Sequence, residues 1–264
     1  MRLLTIRTLF SFFLYSLTLP ALTAQGSTYD SAVLADNPVL YLTMAGNAVE
    51  IDRSGHGHAG RYFPQTRPTA KTRMPNGDLA TVFDGYTQYL EVASARELSV
   101  RRGGALTLEA WIRPDTLEFP SQEGDGYVHW AGKGEPGQQE YVCRMYSLTN
   151  SANRPNRISG YAFNLSGGLG SGSYFQDPVR RGVWMQVAVE IDARNRTVSI
   201  FKNGVLRKTT PLGQFDVTPE AGNAPLRVAT RDLNSFFKGA IGKFALYAYP
   251  LTAQQLSAHV AKMR

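Results

Sequence analysis

Apolar and polar residues alternate with period two along most of the chain. Leu106, Leu108, Ala110 and Ile112 interleave with Thr107, Glu109, Trp111 and Arg113; Met185, Val187, Val189 and Ile191 interleave with Trp184, Gln186, Ala188 and Glu190. Successive side chains of a strand point to opposite faces, so each segment predicts a strand with one face in a core and the other turned out. Segments 198–202 and 205–209 flank Asn203-Gly204, a dipeptide suited to the positive φ angles of a two-residue hairpin turn. Segments 82–85 and 89–92 predict a further pair of short strands about a turn, and 237–249 predicts strands near the end of a sheet.

Helical spacing is rare. Thr252 followed three residues later by Gln255 forms a capping box, which predicts a short helix over 253–262; residues 31–35 suit one helical turn. Many short strands separated by Gly, Asn and Pro turns predict an all-β protein, a two-sheet antiparallel jelly-roll sandwich with a short C-terminal helix.

The N-terminus breaks this pattern. Residues 1–24 combine Arg2 and Arg7 with an uncharged apolar run, a break at Pro20 and small residues before Gln25. That order predicts a secretory signal peptide cut after Ala24, with Ala21 as a second site, and a folded domain over 25–264. The uncharged stretch is too short to span a bilayer, and no later apolar run has spanning length, so the mature chain has no membrane span. The expected location is secreted, periplasmic or in the cell envelope.

Composition narrows the reading only slightly. Of 264 residues, 43% are apolar and 19% charged, which excludes a wholly disordered chain. The net charge of +7 falls by two when Arg2 and Arg7 leave with the leader. The remaining basic residues form no stripe, so nucleic acid is not an expected partner. Cys143 is the only cysteine, which excludes intramolecular disulfides and reads as a small buried apolar residue. A monomer is expected.

The chain carries, in order, the strings Tyr29-Asp-Ser-Ala-Val-Leu-Ala-Asp-Asn-Pro-Val-Leu-Tyr-Leu, Asp52-Arg-Ser-Gly-His-Gly-His-Ala-Gly60, Val82-Phe-Asp-Gly85, Tyr89-Leu-Glu-Val92, Leu106-Thr-Leu-Glu-Ala-Trp-Ile-Arg-Pro114, Trp184-Met-Gln-Val-Ala-Val, Phe237-Lys-Gly-Ala-Ile-Gly-Lys and Tyr249-Pro-Leu-Thr-Ala-Gln-Gln-Leu. This order of segments resembles a laminin G-like domain of the concanavalin A-like lectin/glucanase superfamily. The strings cover about 29–262. The resemblance implies a two-sheet sandwich whose concave face often carries ligands, in a family of lectins, adhesins and, in related branches, glycan hydrolases and lyases. Fold alone does not choose among these.

Three constellations bear on the choice. Glucanases of the superfamily carry two glutamates and an aspartate alternating on one strand, because retaining hydrolysis needs two facing carboxylates. Here Glu190-Ile-Asp192 offers only half of that string, and Asp192 stands where a turn should begin. Many relatives bind Ca²⁺ near an Asp-x-Ser-Gly loop, which implies Asp52, with Asp84 as a second candidate ligand; Lys243 in the closing strand opposes such a site. His56 and His58 read as loop residues.

Segment 119–182 departs most from a plain domain. Trp130, Lys133, Arg144, Tyr146, Arg157, Tyr161, Asn164 and Tyr174, with His129, have the chemistry of a sugar site: aromatic faces for C–H surfaces and fixed polar groups for hydroxyls. The arginines add forks for a carboxylate or sulfate. His129 and Trp130 must point to opposite faces of one strand. The Gly167–Gly172 run lacks the ending of a phosphate loop and reads as a flexible turn.

The expected function is that of an exported, non-catalytic carbohydrate-binding module with a glycan or polysaccharide as partner. Two readings stay open beside it: a polysaccharide hydrolase or lyase using 119–182, and a structural or adhesive cell-surface module.

Overall fold

The alternation becomes two stacked antiparallel sheets in a computed structural model that describes residues 27–264 apart from Pro68 and Arg102. The expected signal peptide lies outside the described residues. In chain order the strands are β1 (Leu40–Leu42), β2 (Val49–Glu50), β3 (Gly60–Phe63), β4 (Ala70–Arg73), β5 (Leu79–Asp84), β6 (Tyr89–Val92), β7 (Ala105–Pro114) and β8 (Tyr127–Lys133). They continue as β9 (Tyr141–Tyr146), β10 (Ile158–Asn164), β11 (Gly167–Phe175), β12 (Met185–Asp192), β13 (Thr197–Lys202), β14 (Val205–Pro211), β15 (Leu226–Val228) and β16 (Lys238–Tyr247). The first sheet runs β14-β13-β12-β7-β16-β5-β4, with β1 also on β16; the second runs β11-β10-β9-β8-β15-β6-β3-β2.

Apolar residues of β7, β12 and β13 meet Trp130, Tyr141, Cys143, Met145, Ile158 and Ala162 of the second sheet in one continuous core. Packing between the sheets is tight at Gly160. A Cβ there would stand 2.4 and 2.5 Å from the two methyl carbons of Val189 on the opposite sheet. Gly160→Ala is therefore expected to destabilise the sandwich by about 1–3 kcal/mol through overpacking. A urea melt checks this; an unchanged midpoint would mean that the sheets part there at no cost.

Asn203 and Gly204 take φ of 50° and 77°, the left-handed pair that the β13–β14 hairpin needs. The C-terminal helix α2 is preceded by α1 (Thr28–Ala35) and spans Ala253–Ala261 with the expected reciprocal Thr252/Gln255 cap.

Three expectations change. Segments 82–85 and 89–92 flank a turn, but β5 and β6 belong to opposite sheets: Asp84 caps the crossing, its Oδ1 accepting from the backbone N–H groups of Tyr86, Thr87 and Gln88. β16 lies inside the first sheet, between β7 and β5. The outer face of β7 is not open to water. Helices α1 and α2 cover it, and Tyr29, Val33, Leu256 and Met263 build a second apolar layer on Tyr41, Trp111 and Tyr247.

Candidate ligand-binding cleft

Strands β8 to β11 are consecutive neighbours, so their registers line up rows of side chains on the outer face of the second sheet. His129 pairs with Arg144, Arg144 with Ser159, and Ser159 with Tyr174. One step along, Tyr127 pairs with Tyr146, whose backbone N–H reaches the Arg157 carbonyl. On the other side, Tyr161 stands opposite Gly172.

The glycines of β11 shape this surface. A Cβ on Gly172 would meet Tyr161 Cδ1 at 2.3 Å, and one on Gly170 would meet Phe163 Cε1 at 2.5 Å. Their absence lets both rings lie over the neighbouring strand. The Gly167–Gly172 run is thus strand rather than the expected flexible turn.

The result is a cleft of about 580 Å³, floored by Tyr161, Phe163, Gly170 and Gly172 and ringed by Arg144, Arg154, Arg157, Tyr174, Lys208 and Phe215. Lys208 comes from β14, because β11 and the edge of the first sheet meet here: Ser173 Oγ bonds to Val198 O at 2.7 Å and to Thr210 Oγ1 at 2.8 Å. Arg144 lies 4.4 Å above the Tyr127 ring and 4.9 Å from that of Tyr161; Arg157 and Lys208 both lie 3.9 Å from the Tyr174 ring. A hydrogen bond and the charge of Lys208, with Arg157 beside it, hold the Tyr174 phenol below its ordinary value.

His129 stands behind Arg144, fully buried. Burial pushes it down to about 4, so it is neutral at pH 7 and its contacts with acids are not ion pairs. Arg144 Nε donates to its Nε2 at 3.3 Å, which leaves the ring proton on Nδ1, facing Asp232 Oδ1 at 3.4 Å. Glu123 Oε1 lies 3.2 Å from Nε2, and burial followed by the Asp232 charge raises the Glu123 carboxyl. Among the described residues, Glu123, His129 and Asp232 are the one group of at least three potential metal ligands within reach of one another. The acids flank the imidazole at its two ring nitrogens, and one ligand atom from each of the three residues lies within 4.8 Å of the others, close enough to share a cation.

The structure therefore brings together Arg144, Arg157, Tyr161 and Tyr174 of the candidates. It places three elsewhere. Trp130 is fully buried between the sheets, out of reach of a ligand in the cleft. Lys133 is fully buried and bonds to Glu140 and to Gly222 O. Asn164 ties down the wall beside Phe215, its Nδ2 donating to Asp216 O and its Oδ1 accepting from Thr218 N. Tyr146 lies beneath the cleft, its hydroxyl accepting from Arg154 Nη1 at 2.9 Å. Sequence reasoning missed Phe163, Arg154 and Lys208. The aromatic pair 161/163 beside glycines at 170 and 172, both with period two, was a usable signal for the floor.

Of the other candidate acids, Asp52, Asp84 and Asp192 cap turns. Asp52 accepts from the backbone N–H groups of Tyr41, Ser54 and His58; although burial opposes it, these bonds lower its pKa. Asp84 is lowered in the same way. Asp192 accepts from Arg194 N, Asn195 N and Asn195 Nδ2. Burial and then Asp192 push the neighbouring Glu190 up to about 7.

Among solved structures, the receptor-binding domain of botulinum neurotoxin mosaic serotype C/D is similar, with a TM-score of 0.64 at 11% identity over 86% of this chain and 51% of that one. The serotype D ligand-binding domain in complex with N-acetylneuraminic acid gives 0.62 at 11% identity, over 89% and 52%. Type C, whose cell entry is described as dependent upon interaction with two ganglioside molecules, gives 0.63 at 12% identity, over 89% and 53%. The chain thus spans about half the length of these structures. No curated protein matches it. A family model matches residues 84–257, and on that match the chain belongs to the concanavalin A-like lectin/glucanases superfamily.

Proposed function

We propose that the chain is an exported, non-catalytic, lectin-like module that binds a glycan in the cleft over β9, β10 and β11. The observation that carries this reading is the floor. Tyr161, partly exposed over Gly172, offers aromatic surface to sugar C–H groups, with the largely buried Phe163 beside it over Gly170, while fixed guanidinium groups stand around it to meet hydroxyls. Among the described residues the cleft is lined by no Asp or Glu, so they give it no carboxylate pair for glycoside hydrolysis. The saccharide ligands named for the neurotoxin domains give the reading further support. The leader at 1–24 would deliver the module to the envelope or the medium.

A glycan array probed with the purified chain tests it. At least one glycan is expected to bind, and Tyr161→Ala is expected to weaken that binding about tenfold or more at an unchanged unfolding midpoint. Silence of the folded protein across neutral and acidic glycans would overturn the reading.

A further inference from the structure

Cations on this side of the molecule fall into two groups. Arg227 is bonded to Glu91 and Glu135, Arg231 to Asp232, and Lys202 and Arg207 to Asp177. Each has an acid within 4 Å. The four that line the cleft do not. Among the described residues, Arg144, Arg154, Arg157 and Lys208 make no ion pair, and no carboxylate lines the cleft with them.

The arginines are nevertheless held in place. Their protein partners are neutral: the His129 imidazole for Arg144, the Tyr146 hydroxyl for Arg154, and the Gln176 side-chain carbonyl for Arg157 at 2.9–3.1 Å. Each guanidinium is also stacked on a ring, Arg154 at 5.5 Å from Tyr146. Such contacts fix a guanidinium without pairing its charge directly; Glu123 acts on Arg144 and Asp125 on Arg154 only from beyond ion-pair distance. Arg144 keeps both terminal nitrogens without a protein acceptor among the described residues. Between Arg144 and Tyr174 in the register, Ser159 is fully buried, its Oγ without a hydrogen-bond partner among the described residues. Pre-positioned forks with free N–H groups suit planar or tetrahedral oxyanions.

We infer that the cleft selects an anionic glycan, one bearing sulfate or carboxylate groups, with Arg144, Arg157 and Lys208 as the charge-reading residues. This rests on the glycan-binding reading above and adds the substrate class. Sulfate esters and uronate or sialate carboxylates share the recognising chemistry, so the probes must separate them.

The test is calorimetric titration of the full chain with heparin, polygalacturonate, dextran and single-stranded DNA at 50, 150 and 300 mM salt. Heparin or polygalacturonate is expected to bind, whichever does naming the anion, with affinity that falls as salt screens the contacts; dextran is expected to bind at least tenfold more weakly. Arg157→Gln and Lys208→Gln should each weaken binding about tenfold, as the loss of a charge-assisted hydrogen bond does, with the unfolding midpoint unchanged. Dextran bound as well as the acidic polymers, without salt dependence, would overturn the inference while leaving the glycan reading intact. Equal binding of DNA and heparin, indifferent to Tyr161→Ala, would show a nonspecific polyanion surface and overturn the inference. Silence to every glycan from the folded protein would remove both.

Discussion

Lys133→Met is expected to cost about 3–5 kcal/mol of unfolding free energy, as breaking a buried ion pair from one side does. Lys133 carries no exposed surface, and its ammonium is bonded to Glu140 Oε1 and, at 2.8 Å, to Gly222 O. The same carboxylate oxygen accepts from Gly222 N at 3.0 Å, so the pair clamps the loop before β15 onto the end of β8. Among the described residues Oε2 of Glu140 has no hydrogen bond within normal geometry, with the Ser99 side chain the nearest group acting on the carboxylate. Burial pushes the Glu140 carboxyl up, against the pull of Lys133. Methionine matches the stem of lysine in volume but leaves that carboxylate in apolar surroundings with one amide for company. In the variant the Glu140 pKa rises further. A raised acid stabilises the fold below its unfolded value near 4.3 and loses that contribution as pH rises through the folded value, so the deficit should be smaller at pH 4 than at pH 7. Adding Glu140→Leu should restore most of the loss, because the unpaired charge goes with it. Urea denaturation of both variants measures this. A single variant within about 1 kcal/mol of the parent would mean that water reaches the carboxylate.

Lys133 also shows where reading the sequence stops. Its chemistry suited a sugar site as well as that of Arg144 did, and both lie in segment 119–182, whose strands the alternation did not locate. What separates them is which neighbour each meets, and that follows from register. β8 shifts register between His129 and Ala131, which alters the phase of everything after it along the strand. Such a bulge has no signature in the residues themselves. Trp130 and His129 were separable in advance, since adjacent strand residues face opposite ways, but not which of them would face the core. Arg144, Arg157, Tyr161 and Tyr174 converge because β9, β10 and β11 pair in chain order, the simplest topology the segment allowed. Lys208 joins them across the seam between the two sheets, a contact that no local pattern encodes. Period two also reports only that two faces differ. It marked Glu109 as pointing away from the core and could not say that two terminal helices, 28–35 and 253–261, would close over it.

That closure sets the second large effect. Glu109→Ala is expected to destabilise the fold by about 3–5 kcal/mol, for it removes the acceptor at the centre of a buried network. Glu109 is fully buried; Gln186 Nε2 donates to it at 3.1 Å and Tyr247 Oη at 3.2 Å, and His259 Nδ1 lies 3.0 Å away. His259 comes from α2, and its Nε2 lies 3.1 Å from Asp36 Oδ2 beyond α1, so one imidazole joins both helices to the sheet. Burial alone would lower the His259 pKa, but the bonds and charges of Glu109 and Asp36 outweigh it and the value is raised. A raised histidine contributes stability that is fully present below its unfolded value near 6.5 and is lost as pH rises through the folded value. The parent should therefore weaken between pH 6 and the folded value of His259, and His259→Gln should flatten that limb while being weaker at low pH. Glu109→Ala should show both consequences, a lower plateau and a lost limb, because it removes the group that keeps His259 charged. Unfolding free energies at pH 5, 6, 7 and 8 decide it. A parent whose stability is level over that range would show that folding leaves the His259 pKa at its unfolded value, and stability that rises with pH would show the imidazole held neutral; either would overturn the charged His259 link.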